Sequence, residues 1–215
     1  MVSRIVTIAQ QKGGSGKTTL AAHLAVAWLD RGLRVATVDI DPQGSLSQWA
    51  AARATRLGTD DRLTHRQITG WRTQREVEQL ARDHDRVVID SPPHAETEAR
   101  VAIRAAALVV VPLQPSPMDL WATQPTLALA RQEKVPLLLV LNRVPSRGRL
   151  ADALMAQVQE LAAPPTVQVA EVQLGNRISF AEAMLDGRTV TETARRTRAA
   201  EEIYALAETI SALLA

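Results

Sequence analysis

Short apolar runs alternate with longer stretches of helical periodicity along most of the chain. Six runs rich in β-branched and other apolar residues predict strands at 5–9, 35–40, 86–90, 107–112, 136–142 and 166–170. Because each run is apolar nearly throughout, we expect each strand to be buried on both faces. Their alternation with helices predicts an α/β fold with a mostly parallel, twisted sheet and helices on both faces.

Two helices are predicted from the spacing of their apolar residues. The first should begin in a glycine-rich loop, run to Asp30 and stop at Gly32, with one face formed by Leu20, Leu24 and Trp28. The last should cover 199–214 and carry one narrow apolar stripe, formed by Ile203, Leu206, Ile210 and Leu213. We interpret this stripe as a surface that packs on the sheet.

Length and composition favour one domain spanning residues 1–215. A chain of 215 residues supplies a full core for one α/β domain, whereas two domains would be cramped. Aromatic residues make up only 3%, so alanine, valine and leucine must fill the interior. The sequence contains no internal repeat, low-complexity tract or long linker.

Composition also excludes several kinds of site. With no cysteine, the chain cannot form disulfides, thiolate zinc sites or cysteine-ligated iron–sulfur clusters. The N-terminus does not read as a signal peptide, and charges interrupt every apolar run before it reaches the length of a membrane span. These features predict a cytoplasmic protein. The net charge of +2 says little about partners.

The segment 12–19, Lys-Gly-Gly-Ser-Gly-Lys-Thr-Thr, has the pattern and the context of a phosphate-binding loop. Its glycines let the backbone turn tightly and bring several N–H groups to one anion, at the positive end of the following helix. Lys17 supplies a charge for the β- and γ-phosphates of ATP, and Thr18 offers a hydroxyl to Mg²⁺. The predicted nucleotide-binding residues of this loop are Gly13, Gly14, Ser15, Gly16, Lys17, Thr18 and Thr19.

Three aspartates follow predicted strands, at the edge where open α/β sheets bind ligands. Asp39 and Asp41 close the second strand, and Asp90 closes the third. Since alternate residues of an extended segment share a face, both carboxylates of the first pair can point toward the Mg²⁺–phosphate region. Asp90 stands where an aspartate would hold Mg²⁺, so the predicted metal site consists of Thr18, Asp41 and Asp90.

Together these motifs resemble the ParA/MinD superfamily, P-loop ATPases with a deviant Walker A motif. The resemblance rests on a second loop lysine, Lys12, and on Val-Asp-Ile-Asp-Pro-Gln-Gly-Ser at 38–45, Val-Ile-Asp-Ser-Pro-Pro at 88–93 and Val-Pro-Leu-Gln-Pro-Ser-Pro-Met-Asp-Leu-Trp at 111–121. It covers essentially the whole chain. The resemblance is strongest to the small ParA proteins, including the ParF type, which lack an N-terminal DNA-binding extension.

The resemblance implies roles for individual residues. Lys12 reaches across a dimer interface to the phosphates of the partner's nucleotide, where its charge acts only once two subunits meet. Asp41 orients the attacking water, so the predicted catalytic residues are Lys12, Lys17 and Asp41. The segment 112–119 contributes to the nucleotide sandwich dimer. Asn142 is the candidate contact to adenine, although a strand-end asparagine is also a common turn residue.

The resemblance further implies a slow ATPase that works as a switch with ATP or ADP and Mg²⁺. ATP closes the homodimer, the dimer binds a surface, and a partner stimulates hydrolysis and release. In ParA-like relatives the surface is non-specific DNA and the partner is a centromere-binding or adaptor protein of the ParB or ParG type. Their cargoes include plasmids, chromosomes, carboxysomes and chemoreceptor clusters. We expect a nucleoid-associated ATPase, with plasmid or chromosome partition as its function.

DNA binding needs clustered cations rather than net charge. The predicted DNA-binding residues lie in the C-terminal region and comprise Arg177, Arg195, Arg196 and Arg198. Three further arginines are candidates for the same surface, namely Arg147, Arg149 and Arg188. A solvated arginine surface is the alternative for any single residue, because the chain has three lysines and 22 arginines.

A MinD-like membrane ATPase is one alternative function. Such relatives bind membrane through a C-terminal amphipathic helix, which usually carries basic residues on its polar face. The last helix of this chain has no basic residue after Arg198 and instead presents Glu201, Glu202 and Glu208. We therefore expect no membrane binding.

An ATP-dependent synthetase of the dethiobiotin or cobyrinate type is another alternative. These enzymes share the P-loop and need a dedicated substrate pocket. The four histidines show no catalytic spacing, and they are His23, His65, His84 and His94. The region 53–79 matches no motif, and it is either a partner surface or a variable loop and helix.

Overall fold

Seven strands form one parallel sheet in the computed structural model, which describes residues 4–68, 70–93, 96–146 and 149–215, apart from the side chains of 71, 96 and 149–152. The strands are β1 (Ile5–Ile8), β2 (Val35–Asp39), β3 (Leu63–Gln67), β4 (Arg86–Asp90), β5 (Leu108–Leu113), β6 (Leu137–Leu141) and β7 (Val167–Val169). The helices are α1 (Lys17–Asp30), α2 (Ser45–Leu57), α3 (Thr73–Asp83), α4 (Glu96–Ala105), α5 (Pro117–Glu133), α6 (Arg149–Glu160), α7 (Ser179–Leu185), α8 (Val190–Thr193) and α9 (Arg198–Leu213).

The strand order β3-β2-β4-β1-β5-β6-β7 places β1 at the centre of the sheet. All six pairings are parallel. In the register of these pairs, Ile8 of β1 and Asp39 of β2 both lie opposite Asp90 of β4. The strand-end aspartates and the loop that follows β1 therefore meet at one edge of the sheet.

Helices cover the sheet on both faces, as the sequence predicts. Alternate residues of β5 belong to different cores: Leu108 and Val110 pack with α1 and α9, whereas Val109 and Val111 pack with α4 and α5. All four are at most 2% exposed. The apolar run of this strand is explained by burial on both faces.

Strand β3 was not predicted, and it accounts for part of the region 53–79. It pairs with β2 at the edge of the sheet, and its sequence Leu-Thr-His-Arg-Gln is half-exposed. An edge strand with polar side chains lacks the continuous apolar run that marks the central strands. The same region contains the end of α2 and the start of α3, where Val77 is fully buried.

The last helix differs from its prediction in two respects. Its apolar stripe ends in Leu214, which is 7% exposed, whereas Leu213 is 36% exposed. The helix packs against α1 as well as against the sheet. The Trp28 indole nitrogen donates to the carbonyl of Ala207 at 3.3 Å and to Ser211 Oγ at 3.0 Å. Helix α1 is buried from Leu20 through Leu29, between the sheet and α9. Of the described helices, none has the length and apolar character needed to cross a membrane.

Candidate functional site

The glycine loop connects the end of β1 to the start of α1. Gly16 adopts a φ of +94°, and an added Cβ would lie 2.5 Å from the amide nitrogen of Asn142. Only glycine satisfies this backbone conformation and this close approach. Helix α1 begins at the next residue, Lys17, so its positive end and the loop N–H groups face the same space.

Asn142, which follows the end of β6, is hydrogen-bonded to this loop. Its Nδ2 donates to the carbonyl oxygen of Ser15 at 2.8 Å, and its Oδ1 accepts from the backbone N–H of Arg143 at 2.9 Å. Both ends of the amide are therefore engaged with backbone. Asn142 lies beside the loop, and its contact to adenine stays a prediction.

Two cavities adjoin the glycine loop. The larger, about 680 Å³, lies over the loop, and its wall includes Lys17, Thr18 and Asp41. The smaller, about 430 Å³, is lined mainly by α1, by the end of β6 and by the segment 174–181. The two share four residues, which are Gly16, Thr19, Arg143 and Ala181. Together they provide room for a ligand with a charged end and a flat, less polar end.

Asp90 and Thr18 meet at the first turn of α1. The Thr18 hydroxyl donates to Asp90 Oδ2 at 2.6 Å, while Asp90 Oδ1 is buried without a partner among the described residues. Burial raises the pKa of Asp90 to about 7; the nearby charges of Asp39 and Asp41 add to this, and Thr18 and Lys17 oppose it.

A buried carboxylate with a free oxygen beside a threonine hydroxyl fits Mg²⁺, a hard cation that takes oxygen ligands. Within the described part of the chain, no three His, Cys, Asp or Glu side chains form a protein cage for a metal ion. Thr18 and Asp90 are thus the residues that would hold Mg²⁺ together with the phosphates of a nucleotide. When bound, the ion would neutralise phosphate charge.

Lys17 is 7% exposed and belongs to the same cluster. Burial lowers the pKa of this lysine, and the carboxylates of Asp90 and Asp41 act in the opposite direction. The ammonium group of Lys17 is a compact point charge that suits phosphate, and Mg²⁺ would offset the repulsion between phosphate and the nearby carboxylates.

The expectation that Asp39 points toward the phosphate region is wrong. Asp39 is fully buried, and its carboxylate accepts from the backbone N–H of Asp41 at 3.0 Å and from the N–H and Oγ of Ser47 at 2.8 and 2.9 Å. It therefore supports the turn into α2. Asp41 lines the larger cavity, and its carboxylate accepts from the N–H of Gln43 at 2.9 Å. Its catalytic and metal-binding roles stay predictions.

Lys12 forms an ion pair with Asp119 on α5. Asp119 is fully buried and also accepts from Ser116 Oγ at 2.6 Å and from the N–H of Gln114 at 3.2 Å. The segment 112–119 is expected at the dimer interface from the sequence resemblance, whereas its ion pair with Lys12 is not among the sequence predictions. The available signal was Ser-Pro-Met-Asp at 116–119, a helix-capping pattern that places Asp119 in the first turn.

The four predicted DNA-binding arginines are not equally available. Glu202, which is 8% exposed, accepts from Arg177 at 2.5 and 2.8 Å and lies 3.2 Å from Arg198 Nε. Arg195 Nε donates to the carbonyl of Thr191 at 3.0 Å. Arg196 is exposed and makes no ion pair with the described residues. The pairing with Glu202 brings Arg177 next to the start of α9.

The other sequence candidates fall outside this cluster. Arg188 lies before α8, where its carbonyl accepts from the Trp49 indole at 3.3 Å. Arg147 and His94 lie outside the described residues, as does the side chain of Arg149.

Asp90→Asn is expected to stabilise the nucleotide-free protein above pH 7. Because folding raises the pKa of Asp90 from its ordinary 3.8 to about 7, the contribution of Asp90 to wild-type stability falls between these pH values and then levels off. Asparagine does not titrate, so the variant does not lose this free energy of unfolding as the pH rises. Thermal unfolding from pH 4 to 8 should show a difference in Tm that grows to about 2–8 °C by pH 7.

The matched control is Asp83→Asn on the exposed surface of α3, which should keep the wild-type pH dependence. A difference between Asp90→Asn and wild type that does not change with pH would contradict the assignment.

The chain has relatives of known name along almost its full length. It is 29% identical over 205 residues to the maintenance of carboxysome distribution protein A of Halothiobacillus neapolitanus, with 92% of each chain covered. It is 27% identical over 238 residues to the chromosome-partitioning ATPase Soj of Thermus thermophilus, covering 97% of this chain and 96% of the relative. Its fold matches the ATP complex of a McdA variant from Cyanothece with a TM-score of 0.79 at 16% identity, covering 99% of this chain and 96% of that one.

A family model for the CobQ/CobB/MinD/ParA nucleotide binding domain matches residues 6–190. This range contains the glycine loop, the strand-end aspartates and Asn142, so the match extends well beyond a loop motif. The chain belongs to the CobQ/CobB/MinD/ParA family of nucleotide-binding domains.

Proposed function

We propose that the chain is a ParA/MinD-type ATPase that binds ATP with Mg²⁺, dimerises around the nucleotide and positions a cellular cargo. One observation carries the proposal. Lys17 and Thr18 line one cavity and Asp90 accepts from the Thr18 hydroxyl, while the second loop lysine, Lys12, is held by Asp119 of α5 instead. The first three residues suit phosphate and Mg²⁺, and Lys12 is left for another subunit.

ATP suits the two connected cavities. Phosphates placed on the glycine loop would contact Lys17, and the shared residues Gly16 and Thr19 would lead the sugar and base into the smaller cavity. Asp41 lines the larger cavity, which supports a role in orienting water for slow hydrolysis. The McdA relative from Cyanothece is described as an ATP complex.

Dimerisation around ATP is supported by apolar side chains near Lys12. Met118 and Trp121 in the first turns of α5 are 61% and 65% exposed. They flank Asp119, which holds Lys12. An apolar patch beside a lysine that must reach a second subunit fits a contact between two copies of the chain.

Positioning of a cargo is supported by the two full-length relatives, which are named for carboxysome distribution and for chromosome partitioning. We infer that the ATP dimer binds DNA without sequence preference, is nucleoid-associated, and is released when a ParB-like or ParG-like partner stimulates hydrolysis. A chromosome and a carboxysome are the cargoes that the names of these relatives suggest, and a plasmid is a further candidate from the sequence resemblance.

Replacing Arg195, Arg196 and Arg198 with alanine is expected to weaken DNA binding of the ATP-bound protein by about 10- to 100-fold. Each arginine that contacts phosphate releases counterions, so the slope of log affinity against log salt should fall by about one for each phosphate that is no longer neutralised. Binding to unrelated duplexes, measured by fluorescence anisotropy from about 50 to 200 mM salt, tests the proposal.

The control replaces three exposed arginines on other elements, Arg75, Arg82 and Arg131, and so removes the same charge. This control should keep the wild-type slope. Equal losses of affinity in both triple variants would mean that net charge acts instead of a defined surface. An unchanged slope in the first variant would place the DNA surface elsewhere.

Membrane binding through α9 is disfavoured by packing. The apolar face of α9, including Ile203, Leu206 and Ile210, is at most 1% exposed. A membrane-bound amphipathic helix needs that face free for lipid.

A further inference from the structure

A histidine in the wall of the smaller cavity has an unused ring nitrogen. His23 lies on α1, one turn after Thr19, and its side chain is fully buried. Together with Phe180 it lines the cavity of about 430 Å³. Its Nε2 is buried and has no hydrogen-bond partner among the described residues. Burying a polar atom without a hydrogen-bond partner costs free energy, which points to a ligand that donates a hydrogen bond to Nε2.

The hydrogen bonding of His23 fixes which nitrogen carries the proton. Nδ1 lies 2.7 Å from the carbonyl oxygen of Thr19. Since a carbonyl only accepts, Nδ1 must donate, and Nε2 is left with a lone pair. Burial lowers the pKa of His23 to about 4, so the ring stays neutral at physiological pH. Nε2 is therefore a buried hydrogen-bond acceptor that has no donor among the described residues.

The position of the cavity suits a nucleobase. The smaller cavity shares Gly16 and Thr19 with the cavity over the phosphate loop. A nucleotide with its phosphates on Lys17 would extend its base past these residues toward His23. Because Thr19 and His23 are four residues apart on α1, they lie on the same side of the helix.

Other polar groups of the cavity wall are less suited to reading a base. Both ends of the Asn142 amide are engaged with backbone. Arg143 and Arg177 carry only donors. Asn176 is exposed, so water can satisfy its amide when no ligand does. The acceptor of His23 is buried, and leaving it unpaired has a large energetic consequence.

Given the nucleotide binding proposed above, we propose that His23 selects the base, with Nε2 accepting a hydrogen bond from the amino group at C6 of adenine. Guanine and hypoxanthine carry an oxygen at that carbon, which would place one acceptor against another. Sites that hydrogen-bond a substrate group discriminate strongly against analogues without it, because the buried polar group is then left unpaired.

The ring of Phe180 packs against the imidazole of His23. The two rings meet at a centroid distance of 5.2 Å with 60° between the planes. The imidazole is fully buried, so a base reaches Nε2 only when Phe180 moves aside. Phe180 is only half-buried where it packs against the core, and Ile178 nearby is 75% exposed, so the start of α7 lies at the surface of the cavity.

Competition binding with three triphosphates tests the proposal on the full chain. ATP has the amino group at C6, purine riboside triphosphate has hydrogen there, and inosine triphosphate has oxygen. Wild type should bind ATP about 10-fold more tightly than the hydrogen analogue and about 100-fold more tightly than the oxygen analogue. His23→Phe keeps an aromatic ring but removes the lone pair, so both ratios should fall to within about 3-fold.

The matched control is His84→Phe, which replaces another histidine with few exposed atoms, away from both cavities and hydrogen-bonded to Leu80 and Thr64. It should keep the wild-type ratios. Unchanged ratios in His23→Phe would overturn the inference and leave nucleotide binding standing. If wild type bound none of the three triphosphates, the proposed function would fail, and this inference with it.

A second measurement needs no variant. In wild type labelled with ¹⁵N-histidine, the Nε2 resonance of His23 should move upfield on addition of ATP. The ¹⁵N signal of an unprotonated ring nitrogen shifts in this direction when the nitrogen accepts a hydrogen bond. Purine riboside triphosphate, which lacks the donor, should not cause this shift. Equal shifts with both nucleotides would contradict the proposal.

Discussion

Replacing Lys12 with alanine is expected to leave ATP binding within about 3-fold of wild type and to weaken ATP-dependent dimerisation by about 30- to 5,000-fold. Among the described residues that line the cavity over the phosphate loop, Lys17 is present and Lys12 is not. Lys12 is instead held by Asp119, with 35% of its side chain exposed. Losing one partner of a desolvated charge pair at an interface costs about 2–5 kcal/mol, which sets this range.

Light scattering after size-exclusion chromatography with ATP and Mg²⁺ measures the dimer, and titration with a fluorescent ATP analogue measures binding. Lys17→Ala should also be monomeric, but because it no longer binds nucleotide. Lys134→Ala, the remaining lysine of the chain, should behave as wild type. A Lys12→Ala protein that dimerises normally would disprove the role of Lys12 between subunits.

Stability and assembly can be separated at this site. Lys12→Ala leaves Asp119 buried with Ser116 and the N–H of Gln114 as its remaining partners, so the variant should also melt at a lower temperature. Adding Asp119→Asn removes the unpaired charge. The double variant should recover the Tm but remain monomeric with ATP.

Asp41→Asn is expected to lower ATP turnover by about 10²- to 10⁴-fold and to prolong the life of the ATP dimer. General-base assistance contributes about this much, and the amide cannot accept a proton from water. Asparagine can still accept from the N–H of Gln43, so the turn after β2 should persist. Single-turnover phosphate release, measured beside dimer lifetime, tests both effects.

Asp39→Asn, two residues away, provides the contrast. Because Asp39 accepts three hydrogen bonds at the start of α2 and is fully buried, its replacement should lower the Tm more than the Asp41 variant does. Turnover per folded molecule should fall less than in Asp41→Asn. Brisk turnover by Asp41→Asn would remove it from the catalytic residues.

The central part of the fold could be predicted because burial on both faces leaves a direct record in the sequence. The strands β1, β2, β4, β5 and β6 are almost uniformly apolar, and each is nearly fully buried. Strand β3 has one partner and an exposed end, so its residues Thr64 to Gln67 resemble a polar loop. Local pattern therefore identifies the middle of the sheet better than its edge.

The candidate site could be predicted where its residues are adjacent in the chain. The glycine loop is a local motif, and strand ends of a parallel sheet meet at one edge, which brought Asp90 to Thr18. The pair of Lys12 and Asp119 joins residues 107 positions apart, and Glu202 meets Arg177 across 25. Such pairings depend on how elements pack in three dimensions, and sequence spacing carries no record of them.

Glu202 has a consequence for how two binding events influence each other. Its carboxylate joins Arg177, on the wall of the smaller cavity, to Arg198 at the start of α9. When a ligand in the smaller cavity binds Arg177, Arg198 is the remaining guanidinium group on this carboxylate. When a phosphate binds Arg198, Arg177 is the one that remains. Thermodynamic linkage is reciprocal, so each event alters the free energy of the other by the same amount. If both proposed binding events occur, this one buried carboxylate would couple them without movement of the sheet.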